Sequence, residues 1–449
     1  MIMKNKIVLL VLMSLLFSIT ACREFLEEKS DTKLVTPQTL QDNQALLDRI
    51  SNLLGDNSIS GEISADDIYI TDSDYNGVSY ESDKRLYTWQ PNLVARGSGN
   101  DWRNCFSRIN ICNTVLNNLE QYQISNADDV RGQALAVRAS IYLEAVQIWS
   151  LAYTKSTAQK EWGLPLRLSP DINLPSVRTS LQQTYDQILG DLHTAVSLLP
   201  DQQVSAARAS KAMALGFLAR TYLYMGDYPN ALLYATKALS INNQLMNFNT
   251  LNSADPYPIK EMNVEVLLPT FVGYSPILGT NAAKISTSIY NSYEDNDLRK
   301  RVYFKTNTLG EIMFKGNYSG NSTRTSILAN DELYLIAAES YAQLDAVDNA
   351  MGILNQLLVK RWKSGTFINF TAPNKVAALA LISTERRKEL LFRGIRWADL
   401  KRYNRDGKNI ILQRTVNGQT YTLPPNDLRY AIAIPEDIIK LTGMPQNPR

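Results

Sequence analysis

Aromatic rings crowd the parts of this chain that lack helical periodicity. Tyr69, Tyr75, Tyr80, Tyr87, Trp89 and Trp102 stand close together, with Arg96 and Asn100 among them; Phe271, Tyr274, Tyr290 and Tyr293 form a second group. A ring in a loop offers a flat apolar face and, for Tyr and Trp, one polar handle. Asn and Arg add directed donors and acceptors around it. That combination suits a ligand with a flat face and a rim of hydroxyls, such as a sugar. The candidate ligand-binding residues are Tyr75, Tyr80, Trp89, Arg96, Asn100 and Trp102, with Tyr274 and Tyr290 across from them. The competing reading is that these rings supply core to loops poor in aliphatics. Trp102 is the most ambiguous, because it starts a helix.

Other chemistry is sparse. His193 is the only histidine, so any Ser-His-Asp or Cys-His machine would have to use it, and a His-based zinc site is disfavoured. Asp72-x-Asp74-x-Asn76-Gly77 followed by Asp83 has calcium-loop spacing, with oxygen donors at positions 1, 3, 5 and 12. Against Ca2+, Ser79 replaces the expected apolar residue, Asp reaches less far than Glu, and no amphipathic helix flanks the loop. An Asx-rich turn is the other reading. Glu385-Arg386-Arg387-Lys388-Glu389 could hold an anion, or be a helix whose Arg-carboxylate pairs fix adjacent loops. With 44 acidic residues, two carboxylates about 5–9 Å apart, as a glycoside hydrolase needs, are not excluded by count.

The elements that must position these residues begin after residue 21. Lys4 and Lys6 precede an apolar run over residues 7–17, then Ser18-Ile19-Thr20-Ala21-Cys22. Arg23-Glu24 ends the run short of the roughly 20 apolar residues a spanning helix needs. The segment reads as a secretory signal peptide, removed after residue 21. A small residue directly before Cys22 resembles a bacterial lipobox, in which the Cys is lipidated and becomes the new N-terminus. Losing Lys4 and Lys6 takes the formal charge from +2 to zero, since residues 1–21 hold no acid. A neutral chain without a basic stripe argues against nucleic acid. Roughly 420 mature residues can bury a large core. Cys105 and Cys112, seven apart on one expected helix, stand about 10 Å apart, too far for a disulfide. They read as buried thiols.

Residues 22–43 read as the lipidated N-terminus and tether. Helical periodicity is expected over 40–54, 102–119, 130–153, 179–199, 210–226, 228–241, 331–344, 347–360 and 374–393, with a short turn over 397–403. The stretches 55–98, 154–179 and 242–330 read as irregular with a few small strands, and the proline-rich tail as extended. Leu215, Leu218, Ala219, Tyr222, Gly226, Tyr228, Ala231, Ala235 and Ala238 occupy the small and large positions of a tetratricopeptide helix pair. Ala338, Tyr341, Ala350, Leu354 and Leu357 repeat it more weakly. Such pairs need stacked neighbours. The predicted fold is mostly α, with tetratricopeptide-like pairs, loop-rich insertions and a few short strands.

Several segments, in order, resemble the SusD/RagB family of outer-membrane nutrient-binding lipoproteins of Bacteroidetes. They are Trp102-x3-Phe106-x2-Ile109 with Asn113; Arg131-Gly132-Gln133-Ala134-x3-Arg138-Ala139-x2-Tyr142; and Ala219-Arg220-x-Tyr222-Leu223-Tyr224-x-Gly226-Asp227-Tyr228. Tyr293-x-Asp295-x-Asp297-x-Arg299, Asp331-Glu332-x-Tyr334-Leu335-x2-Ala338-Glu339 and Glu385-Arg386-Arg387-x-Glu389-Leu390 follow. Arg396-Trp397-x-Asp399-Leu400-x-Arg402, Ile434-Pro435 and Gln446-Asn447-Pro448 complete the series. The resemblance implies a SusD-like α-rich binding domain over 44–449 and a SusC-like TonB-dependent barrel transporter as partner. It implies a cell outer membrane location, with Glu24, Glu27 and Glu28 as the acidic signal for surface exposure. The function it implies is non-catalytic glycan binding for uptake, with no cofactor. A carboxylate-dependent glycoside hydrolase and a tetratricopeptide-type envelope scaffold are the alternatives. The family's ligand contacts are not a fixed motif, so none is carried over.

Overall fold

The computed structural model describes residues 36–93 and 100–449. Cys22, Glu24, Glu27, Glu28, the signal segment, most of the tether and Arg96 lie outside the described residues. The expected helix over 40–54 is two, α1 (Leu40–Leu47) and α2 (Ile50–Leu53), parted at Asp48 and Arg49. The stretch expected to be irregular holds α3 (Ser60–Ser64), β1 (Ile68–Tyr69), α4 (Asp72–Gly77) and α5 (Glu81–Tyr87). These helices are too short to show a 3.6 period.

The long helices form as expected. They are α6 (Asp101–Gln121), α7 (Asp128–Trp149), α8 (Leu181–Leu198), α9 (Lys211–Met225) and α10 (Tyr228–Ile241). Each packs on the next along the chain. Four of the five starts carry side-chain caps, α7 being the exception: Ser180 and Gln183 make a capping box on α8, and Ser210 Oγ accepts from Met213 N at 3.3 Å on α9. Gly226 ends α9 in the left-handed region, φ 77°, where a side chain would be strained. Asp227 then caps α10. Leu218, Ala219, Ala231, Ala235 and Ala238 are completely buried between the helices, as the tetratricopeptide reading requires. Tyr222 sits at the margin of the pair, stacked on Tyr234 at 5.5 Å, with its hydroxyl 3.2 Å from His193 Nε2.

The connections carry the strands. A short hairpin, β2 (Trp162–Pro165) with β3 (Arg178–Ser180), leads into α8. Beyond α10 come β4 (Val266–Leu268), β5 (Lys284–Ile285), α11 (Thr287–Asn291), α12 (Arg299–Val302), β6 (Phe304–Thr306), β7 (Ile312–Phe314) and β8 (Leu328–Ala329). One antiparallel sheet has the order β1-β5-β7-β6. The second helix pair, α13 (Asn330–Gln343) and α14 (Val347–Leu358), stacks against α10, and α15 (Lys375–Glu389) packs on α13. The turn expected over 397–403 is a longer helix, α16 (Arg396–Arg405). The tail is not simply extended: β9 (Leu412–Val416) and β10 (Gln419–Leu423) pair through Asn417-Gly418, and α17 (Glu436–Thr442) follows. Among the described residues no helix is long and apolar enough to cross a membrane. Cys105 and Cys112 are both free and buried.

Buried ion pairs tie these parts together. Arg299, wholly buried, reaches Asp297 at 2.7 Å, Glu385 at 2.5 Å and Glu389 at 3.0 Å. Arg361 spans Glu389 and Glu265, both at 2.7 Å. Arg386 meets Asp399 at 2.8 Å, which also takes Arg402 at 2.8 Å, and Arg402 reaches Glu339. Arg220 binds Glu332 at 2.8 Å, and Arg138 binds Asp191 at 2.8 Å. The 385–389 run is therefore a structural cluster, and no anion site is needed to explain it. Arg299→Met would leave three buried carboxylates short of a partner, with Lys388 on Asp297 and Glu385 and Arg361 on Glu389 as the cations that remain. The expected loss is about 3–5 kcal/mol of stability. Glu120→Gln, which breaks an exposed pair with Arg131, should change stability by less than about 1 kcal/mol. Urea unfolding of both variants checks the contrast.

Candidate ligand-binding face

The exposed rings sit on short elements clamped from several sides. Asp72–Gly77 is helical because Thr71 and Asp74 form a capping box, with Asp74 N donating to Thr71 Oγ1 at 3.1 Å and Thr71 N to Asp74 Oδ2 at 3.1 Å. Lys284 on β5 reaches Asp74 Oδ2 at 2.7 Å. Burial would raise the Asp74 carboxyl, but Lys284 and Thr71 hold it below its ordinary value. From the other side, Asn417 N donates to Asp72 Oδ1 at 2.8 Å, and the Asn76 and Asn417 amides exchange hydrogen bonds at 3.1 and 2.9 Å. The β9-β10 turn thus holds α4 against β5.

This arrangement gives each oxygen donor of the calcium-loop spacing another partner. Asp72 serves Asn417, Asp74 caps its own helix and binds Lys284, and Asn76 pairs with Asn417. Asp83 is buried, accepting from Ser275 Oγ at 2.6 Å and Ser82 Oγ at 3.0 Å. The four oxygen donors do not converge. Among the described residues no group of three or more His, Cys, Asp or Glu is placed to hold a metal ion.

The clamps also order the aromatic residues. Tyr75, on α4, is half-buried, 6.2 Å from the Tyr87 ring, with Lys84 Nζ 5.4 Å from its own ring. Burial, and then Tyr421, push its phenol above the ordinary value. Tyr80 is half-buried at the N-cap of α5. Tyr274 is 72% exposed, and the Ser275–Asp83 bond fastens its loop to α5. Tyr69, on β1 and paired in register with Lys284, is also exposed. Tyr290, on α11, packs edge-on against Phe304 at 5.5 Å, with Lys300 Nζ 5.3 Å from its ring. Beside it lies a cleft of about 340 Å³ whose lining includes Ser288, Ser292, Thr384, Arg387 and Lys408.

Three candidates belong to the core instead. Trp89 is buried; its Nε1 donates to Ser64 O at 2.9 Å, and the Arg414 guanidinium lies 4.7 Å from its ring. Trp102 is buried between Phe106, at 4.8 Å, and Trp149, at 4.9 Å. Asn100 is buried as the N-cap of α6, its Oδ1 accepting from Trp102 N at 3.0 Å and Arg103 N at 3.3 Å. Each fills a role that a loop needs when aliphatics are few. Sequence reasoning missed the lysines around the face. Lys84, Lys284 and Lys300 reach the rings or their helix only through tertiary packing, which leaves no local pattern. Trp102→Ala should cost about 3–5 kcal/mol, whereas Tyr274→Ala should stay within roughly 0.5 kcal/mol of the parent. Thermal unfolding of the pair measures the difference.

Comparison with known proteins agrees with this architecture. Residues 24–223 match the SusD-like_3 family, described as starch-binding associating with outer membrane, and residues 315–441 match the SusD family model SusD_RagB. SusD-like protein P2 of Formosa agariphila is 24% identical over 415 residues, covering 77% of this chain and 79% of that protein. A SusD superfamily protein from Bacteroides thetaiotaomicron shares the fold with a TM-score of 0.74 at 22% identity, over 92% of this chain and 100% of that one. A SusD-like carbohydrate binding protein from Bacteroides vulgatus gives 0.68 at 20% identity, over 90% and 96%. With both family models matched in order along one helical scaffold, the chain belongs to the SusD/RagB family.

Proposed function

We propose that this chain is a non-catalytic, surface-exposed lipoprotein that binds glycan and delivers it to a SusC-like TonB-dependent barrel. Residues 1–21 are then the signal peptide, Cys22 carries the lipid, residues 22–43 form the tether, and residues 44–449 are the binding domain. The observation that carries the reading is Tyr274, an exposed ring on a loop fastened by a buried hydrogen bond. Tyr69, Tyr75 and Tyr80 stand on elements joined to the same clamps, and Tyr290 lies on α11, which follows β5 in the chain. Rings held in place before ligand arrives lose little freedom on binding. The family's description as starch-binding, and a structural relative titled carbohydrate binding, support a glycan as ligand.

Purified protein should bind an oligosaccharide on a glycan array and release no new reducing ends. Stacking contributes on the order of 1 kcal/mol per ring, so Tyr274→Ala and Tyr80→Ala should each weaken binding by roughly tenfold in calorimetry. Steady product formation by highly purified protein would favour the glycoside hydrolase reading. Normal affinity in every tyrosine variant would show that the face lies elsewhere.

The anchor is tested separately. Cys22→Ala should move the chain out of the membrane fraction while its thermal unfolding stays the same. Retention of the variant in that fraction would contradict lipidation.

A further inference from the structure

The loop between β2 and β3 turns its aliphatic side chains to solvent. Ile172 is 84% exposed and Val177 67%, with Leu168, Leu174 and Trp162 also exposed. Most other exposed aliphatics are scattered along the chain; here five large apolar residues fall within one hairpin. The loop is fixed in this state. Arg167, half-buried, braces it, its guanidinium bonding to Leu174 O, Asp171 O and Ser176 Oγ. Asp171 Oδ1 accepts from Asn173 N at 2.9 Å. Arg178 Nε donates to Gly163 O at 2.9 Å across the base.

Charge and position indicate what covers them. Residues 154–179 hold Lys155, Lys160, Arg167 and Arg178 against Glu161 and Asp171; Arg178 is buried and Arg167 half-buried, so the exposed charges are Lys155 and Lys160 with Asp171. Aliphatic tips, a Trp at the base and flanking cations are the composition of a segment that lies in the headgroup region of an anionic bilayer. The tether enters the fold nearby. Asn113 Nδ2 on α6 holds the loop through Arg167 O at 2.9 Å, and Asn118 Nδ2 on the same helix holds Asn43 Oδ1 of α1 at 3.0 Å. These two residues are about 7.5 Å apart along the helix axis.

We propose that the loop over residues 165–178 is a second membrane contact, inserting Leu168, Ile172, Leu174 and Val177 into an anionic lipid surface beside the tether. The proposal rests on the lipid anchor only for bringing the loop to that surface.

Trp162 makes the test specific. Trp89, Trp102, Trp149, Trp362 and Trp397 are buried, so Trp162 is the exposed member of the six. The full chain, purified from membranes, is reconstituted on phosphatidylcholine–phosphatidylglycerol vesicles with or without brominated acyl chains. Bromine should quench a share of the emission that disappears in Trp162→Phe. That share should fall to background in an Ile172→Asp/Leu174→Asp variant that still floats with the vesicles and unfolds at the parent temperature. It should also shrink when phosphatidylglycerol is omitted. A chain that floats with Trp162 unquenched overturns this proposal alone and leaves the patch to a protein partner. Quenching that persists in the double variant overturns it too. A chain that fails to float overturns both this proposal and the anchor.

Discussion

Burying a guanidinium among carboxylates is favourable only when every partner arrives together. Arg299 and Arg361, both fully buried and sharing Glu389, impose that condition on this fold. Each charge removed from water loses its hydration, and only short, multiple contacts restore it. The pairs therefore act as all-or-none joints between segments distant in sequence: the loop before α12, the end of α14, the last turn of α15. Neighbouring pairs extend the same logic to α9 through Arg220 and Glu332, and to α16 through Asp399. Many residues that carry the family resemblance are these joints. They hold the scaffold, which is why they say little about the ligand.

The candidate face depends on that scaffold because its own elements are too small to stand alone. A six-residue helix such as α4 is unstable in isolation. Its position is fixed by Lys284 on one side and the β9-β10 turn on the other. Arg414 performs a related task beneath it, with its guanidinium over Tyr87 and Trp89 and its donors on the carbonyls of Ile63, Ala65 and Tyr87. Burial without a carboxylate partner lowers that guanidinium to about 10. Core aromatics thus serve cations from below, while Tyr69 and Tyr274 remain exposed above.

Legibility in the sequence followed the physics of each signal. Helices with a single apolar stripe, such as α8 and α14, were readable because one side of a 3.6-residue period carries the core. Helix α16 was underestimated because Arg396, Asp399, Lys401, Arg402 and Asn404 are buried through ion pairs and hydrogen bonds, so apolar periodicity understates its length. The β9-β10 hairpin had a local signature, Asn417-Gly418 between alternating residues, which the surrounding prolines obscured. For the candidate face, residue type pointed to a stretch of chain but could not say which way a ring turns. Tyr274 and Trp102 both stand as candidate ligand contacts on paper, Trp102 the more ambiguous for starting a helix; packing separates an exposed loop ring from one wedged against Trp149.

The spacing of the charged joints also bears on the order of events during synthesis. Arg138 meets Asp191 within the first helices, so α6 to α8 can close their own polar groups early. Arg220 must wait for Glu332, and Arg299 for Glu385 and Glu389. Until those segments emerge, these arginines remain hydrated. A fragment that ends before Glu332 leaves Arg220 without that partner, and one that ends before Glu385 leaves Arg299 without two of its three carboxylates.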